Sequence, residues 1–311
     1  MFKNKKYTLY IILVLMVIVI MGLLLFIDRS DYNYKIKDTL VDGAGKDATV
    51  IILGGQSNAS GCSHNEYLSK NVSVDKYNEY QNGYENVYIN YISGAKASNE
   101  FVFCKVGQGE IDNGFGPELG LAEKLNELYP DQTFFIIKCA WGATNLFEQW
   151  LSPSSKGKTG ELYKAFEAFV EFNLKYLEYK NYNVKVEAMC WMQGESDSFS
   201  VENATNYEKH LTNFIADVRK NFKNYASNDG IAFIDATIAK NPVYWVYCDL
   251  VNQSKQNVKE LSSMNVLIDT NLAGLSCSSE PADVPDLAHY DSLSEIMLGH
   301  LFALEVSKFI D

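Results

Sequence analysis

The feature that most restricts how this chain can fold is a repeated exchange between two hydrophobic periods. Short, largely apolar runs at Val50 to Leu53, Phe134 to Lys138, Val186 to Trp191 and Ile231 to Ile234 have the length and β-branched content of buried strands. Between them, helical spacing covers Glu118 to Tyr129, Glu161 to Tyr179 and Ala204 to Phe222, and a last amphipathic stretch runs from Ser292 to Ile310. Strands that alternate with helices pair in parallel and carry the helices on both faces, so the expected class is α/β with a mostly parallel sheet. Residues 60 to 115 are rich in Asn, Tyr, Ser and Gly and read as a long excursion, either a pocket wall or a variable surface loop.

Tyr7 to Ile27 is an uncharged, almost wholly apolar stretch of 21 residues, about 31 Å long as a helix, which matches a bilayer core. Lys3, Lys5 and Lys6 precede it and no small-x-small cleavage site follows, which reads as an uncleaved signal anchor with residues 1–6 cytoplasmic and the rest extracytoplasmic. Residues 28–47 read as a polar stalk and 48–311 as one catalytic-sized domain. Without the cationic head, 24 basic face 39 acidic residues, a net charge of −15 that argues against nucleic acid as a partner. Of six cysteines, Cys139 and Cys190 end strand-like runs and read as core; Cys62, Cys104, Cys248 and Cys277 are enough for two disulfides. No zinc-ligand spacing is present, so neither a metal nor another cofactor is expected.

The first strand-like run breaks at Gly54-Gly55-Gln56-Ser57-Asn58. A serine presented where a buried strand turns into a loop is a candidate nucleophile, although the same position suits a helix-capping serine. Such a hydroxyl needs a base. Among His64, His210, His289 and His300, only His289 sits in a proline-constrained loop, after Pro281 and Pro285, with a carboxylate three residues before it. In Asp286-Leu287-Ala288-His289 the chain can fold the Asp286 carboxylate onto Nδ1 and leave Nε2 for a serine proton.

Two further segments are candidates for stabilising an oxyanion. In Trp191-Met192-Gln193-Gly194-Glu195-Ser196-Asp197 the Gln193 amide follows a buried strand; Glu195 and Asp197 read as a second acid pair or as loop braces. Gly114-Phe115-Gly116-Pro117-Glu118 enters a helix through proline, and its N–H groups either complete an oxyanion hole or cap that helix.

These motifs in this order resemble the SGNH-hydrolase superfamily, and more closely its sialate O-acetylesterase-like branch with the family 6 acetyl xylan esterases, over roughly Ala48 to Ile310. The resemblance implies a three-layer α/β/α sandwich of flavodoxin-like type. It implies Ser57 as nucleophile, Asp286 and His289 as acid and base, and Gln193, Gly116 and the Ser57 N–H as oxyanion donors. Gln56, Asn58 and Glu195, their neighbours in the motifs, are assigned to substrate contact. Two departures stand out: Trp141-Gly142-Ala143-Thr144 where the family often has Gly-Gly-Thr, and Leu287 where a glycine is frequent. The expected function is a membrane-anchored serine esterase that removes O-acetyl groups from a carbohydrate such as a sialic acid or xylan. Acetyl transfer through the same acyl-enzyme and non-catalytic glycan binding are the alternatives.

Overall fold

The computed structural model describes residues 32, 34–227, 229–241 and 243–310. Tyr7 to Ile27, expected to span a membrane, lies outside the described residues, and no helix among the described residues is long and apolar enough to cross one.

Six parallel strands form the body of the sheet: β1 (Asp47–Gly55), β2 (Tyr84–Ser93), β3 (Phe134–Ala140), β4 (Asn183–Met192), β5 (Ala232–Ala236) and β6 (Asn265–Ile268). Their order is β6-β5-β4-β1-β3-β2, and the short strands Lys96–Ala97 and Val102–Cys104 add antiparallel pairing at β2, making the sheet mixed but mostly parallel. β1 lies at the centre because it is apolar on both sides: Val50 to Leu53 are all fully buried. Each such side chain contributes about 1.5–3 kcal/mol by leaving water.

The helices that position the site are α1 (Ser57–Ser60), α2 (Glu118–Leu128), α3 (Glu161–Tyr179), α4 (Val201–Asn221), α5 (Cys248–Lys259) and α6 (Ser292–Val306). α2 and α6 pack together on one face, and α3, α4 and α5 follow one another across the other. Ser200 caps α4 by accepting from Asn203 N, and α3 matches the expected span residue for residue.

Three expectations change. The excursion at 60–115 contains β2 and the helices Asn65–Asn71 and Val74–Asn82, so much of it is scaffold. Residues 34–46 do not stand off as a stalk: Tyr34 packs on Phe169, Leu40 is buried, and Asp38 accepts from Tyr176 and Lys180. All six cysteines are free and buried, so the four set aside for disulfides serve as core or near-core thiols.

Candidate active site

β1 ends where only glycine fits: Gly55 has φ +139°, and a Cβ there would overlap the Met192 carbonyl of β4. Gln56 N then donates to Met192 O at 2.9 Å, which bends the chain into α1 with Ser57 as its first residue. Ala59 N and Ser60 N both donate to Gln56 O. Among the described residues nothing accepts from the Ser57 N–H or bonds Ser57 Oγ, and that oxygen is not sealed from solvent. Glu110 holds α1 from outside by accepting from Ser60 Oγ at 2.5 Å and Gly142 N at 2.9 Å. From below, the buried Lys138 Nζ donates to Ser60 O at 3.0 Å.

His289 Nδ1 lies 2.6 Å from Asp286 Oδ2, the pairing the four-residue spacing led us to expect. With the carboxylate accepting, Nδ1 carries a proton, and in the neutral ring Nε2 is the basic nitrogen. Burial is the largest influence on this ring and opposes its charged form, but the Asp286 hydrogen bond and the adjacent Cys62 outweigh it and raise the pKa to about 10. The loop is tightly drawn: Leu287 has φ +31°, in the region that favours glycine.

Asn58 ties this loop to the nucleophile. Its Nδ2 donates to Glu195 Oε1 at 2.8 Å and Ala288 O at 3.3 Å, while its Oδ1 accepts from Tyr290 N at 3.1 Å. Ser63 Oγ adds a bond to Tyr290 O at 2.7 Å. Segments about 230 residues apart are thus held together, which sets the Ser57 segment beside the Asp286–His289 loop, with no Ser57–His289 hydrogen bond among the described residues.

The remaining assignments change character. Gly116 N–H donates to Glu118 Oε1 at 2.9 Å, and Glu118 Oε2 takes Lys138 Nζ at 2.7 Å with both side chains fully buried, so Gly116 has no proton to offer an oxyanion. Gln193 is fully buried and its Nε2 is committed to Asp197 Oδ2 (2.6 Å), Thr144 O (3.1 Å) and Gln56 Oε1 (3.3 Å), while its Oε1 accepts from Tyr207 OH (2.9 Å). Both oxyanion expectations are corrected by the same fact: these donors are spent inside the fold. Asn58 and Glu195 are likewise buried braces rather than substrate contacts. Burial raises the Glu195 carboxyl against the lowering effect of the Asn58 hydrogen bond, and its Oε2 has no partner among the described residues.

Gln56 differs from them. Its Oε1 accepts from Gly194 N, Ser196 N and Gln193 Nε2, but among the described residues nothing accepts from its Nε2, which is not sealed from solvent. Asp197, read as one of an acid pair, accepts from Leu146 N and Phe147 N as well as Gln193, and burial raises its pKa to about 6 against those bonds. Sequence reading missed Glu110, Lys138, Tyr207 and Cys62, whose roles depend on partners far along the chain. It also gave His300 no carboxylate, whereas His300 Nε2 meets Glu123 Oε2 at 2.8 Å between α2 and α6. Among the described residues no group of three or more His, Cys, Asp or Glu side chains is arranged to hold a metal ion.

Residues 47–308 match the family model described as carbohydrate esterase, sialic acid-specific acetylesterase. Among solved structures, the chain is similar to a protein from Arabidopsis thaliana at 18% identity, covering 85% of this chain and 100% of that one with a TM-score of 0.61. NanS follows at 15% identity, 86% and 98% coverage and a TM-score of 0.62. A protein described as a novel carbohydrate acetylesterase from Xanthomonas citri follows at 14% identity, 84% and 56% coverage and a TM-score of 0.56. No curated protein sequence matches the chain. At such identities the structural likeness speaks to the fold, and the family match carries the chemistry.

Proposed function

We propose, for a chain that belongs to the sialic acid-specific acetylesterase family of carbohydrate esterases and is therefore a carbohydrate acetylesterase, a carboxylic ester hydrolase, that the reaction runs through an acetyl-Ser57 intermediate. Ser57 Oγ attacks the acetyl carbonyl while His289 Nε2 takes its proton, and Asp286 holds Nδ1–H and balances the imidazolium. The donors assigned to the tetrahedral oxyanion are the Ser57 N–H and Gln56 Nε2, neither of which has an acceptor among the described residues. Collapse breaks the ester bond, and His289 returns the proton to the departing sugar hydroxyl. Water, deprotonated in turn by His289, then releases acetate and regenerates Ser57.

The observation that carries this reading is the 2.6 Å His289–Asp286 pair, fastened by Asn58 to the segment that presents an unbonded serine hydroxyl. The raised basicity of His289 strengthens proton abstraction while reducing its neutral fraction near pH 7. The sequence further supports placement outside a cell membrane, anchored by Tyr7 to Ile27 with the N-terminus cytoplasmic. The test is acetate release by the full chain from O-acetylated sialic acid and acetylated xylan. Release from at least one, abolished in Ser57→Ala, is expected; equal release by wild type and Ser57→Ala would overturn the mechanism.

A further inference from the structure

The chain enters the domain at a telling place. Tyr32 OH donates to Glu161 O at the start of α3, Tyr34 OH donates to Ala165 O one turn on, Tyr176 OH donates to Asp38 near the end of α3, and Gly43 N donates to Lys180 O just beyond it. Residues 32 to 43 therefore run down α3 from its N-terminus to its C-terminus. α3 begins at the edge of the sheet where the parallel strands end, which is also the edge that carries Ser57. Only five residue steps separate Ile27 from Tyr32, a reach of at most about 18 Å. An anchor at 7–27 thus holds the active-site edge of the domain against the bilayer surface.

That edge carries an apolar surface. Phe199 and Val201 at the start of α4, and Val243, Tyr244, Val246 and Leu250 at the start of α5, are each between 43% and 85% exposed. They form one patch: Tyr247 N donates to Ser198 O, and Trp245 lies beneath with its ring 5.3 Å from Phe199 and 6.0 Å from Tyr244. The sequence from Asn241 to Cys248 is uncharged in an acidic protein. Tyr179 and Leu261, also exposed, stand apart at the opposite ends of α3 and α5. α3, α4 and α5 follow one another on the same face, so the chain entry and the patch share its upper rim.

We propose that this rim docks on the lipid bilayer in which residues 7–27 sit, with the aliphatic and aromatic side chains in the interfacial layer and the Ser57 site opening close to the membrane. The inference rests on the anchored reading above. The tether matters energetically, because it converts weak surface binding into an intramolecular event at high effective concentration, so a patch of six side chains suffices. Apolar contact, rather than charge, drives the docking, since the acidic domain gains nothing from anionic lipid. The esters within reach are then those on glycans held near the bilayer.

The test uses the full chain in phosphatidylcholine nanodiscs with brominated or ordinary acyl chains, read by tryptophan fluorescence. Brominated lipid is expected to remove about a quarter of the emission, the share of one tryptophan in four, by reaching Trp245 at the interface. Trp245→Phe is expected to abolish that loss. Val243→Asp with Val246→Asp is expected to reduce it at least about twofold while the chain stays in the disc and keeps its esterase rate. A chain that enters the disc but shows no quenching, including one that instead pairs with a second copy, overturns the docking and leaves the anchor standing. A chain that does not enter the disc overturns both.

Discussion

The Asp286–His289 loop and the Gln193–Asp197 loop both reach the nucleophile segment, one through Asn58 and the other through Asn58 and Gln56, yet they are built in opposite ways. The first is partly open: the His289 side chain is 28% exposed, held by Asp286 at Nδ1 and with Cys62 alongside the ring. The second is closed, with the Gln193 amide and the Asp197 carboxylate each bonded to several buried partners. Both stand out equally in the sequence. The Ser57 hydroxyl keeps an open, unbonded oxygen, whereas the Gln193 amide and the Asp197 carboxylate are taken up by buried partners, and that difference separates chemistry from support.

The strongest way to break the comparison is at Ser57. Its hydroxyl makes no hydrogen bond among the described residues, so Ser57→Ala is expected to leave the melting temperature unchanged. Acetate release is expected to fall by about 10⁴-fold or more as the covalent route disappears. A matching loss of stability and activity would mean that Ser57 is a brace like Gln193.

The next effect is in the pH profile. Because Asp286 helps raise His289 to about 10, kcat/KM is expected to climb about tenfold per unit from pH 7 toward that value as the free base accumulates. Asp286→Asn should move the ascending limb down toward the ordinary imidazole range near about 6.5 while lowering its plateau. The stability contribution of the pair runs the other way. A raised imidazole pKa stabilises the fold fully below about pH 6.5, and that contribution is lost as pH rises through about 10. A kcat/KM profile that is already flat above pH 7, with a limb insensitive to Asp286→Asn, would remove His289 as the base.

A smaller effect sharpens the other side. Gln193→Ala removes one hydrogen-bond partner each from Asp197 and Tyr207 inside a sealed region, which should cost about 1–3 kcal/mol of stability. At a temperature where the variant is folded, kcat should fall less than about tenfold, because the oxyanion is served elsewhere. A loss of about 100- to 1000-fold with an unchanged melting temperature would return Gln193 to the oxyanion hole.

How much of this was legible in the sequence follows the same divide. β1, β3, β4 and α3 were readable because their apolar residues repeat with a single period and are buried throughout or along one face. β2 was not, since Asn90 sits buried in it, satisfied by donating to Asn173 83 residues later and accepting from Ser98. α5 was hidden in the same way by Asn252 and Lys255, which are buried only because Ile238 and Asp235 receive them. In the site, Asp286 and His289 were found because partners three residues apart can be read locally. The spent state of Gly116 and Gln193 was not, because it is set by contacts across the fold.

The smallest effect concerns the turn that receives the closed loop. Ala143 sits at φ +57°, a left-handed conformation that an alanine Cβ opposes, and it stands where the resembling family often has the second glycine of Gly-Gly-Thr. Its neighbours hold the brace: Thr144 O accepts from Gln193, and Leu146 N donates to Asp197. Replacing Ala143 with glycine removes about 1 kcal/mol of backbone strain, partly offset by the greater freedom glycine has when unfolded. Ala143→Gly is therefore expected to raise the melting temperature by about 2 °C or less, with kcat and KM unchanged. If Ala143→Gly instead altered kcat by tenfold at equal stability, strain in this turn would be serving the reaction. The closed loop would then belong with the open one, and the distinction between spent and unspent groups would not hold here.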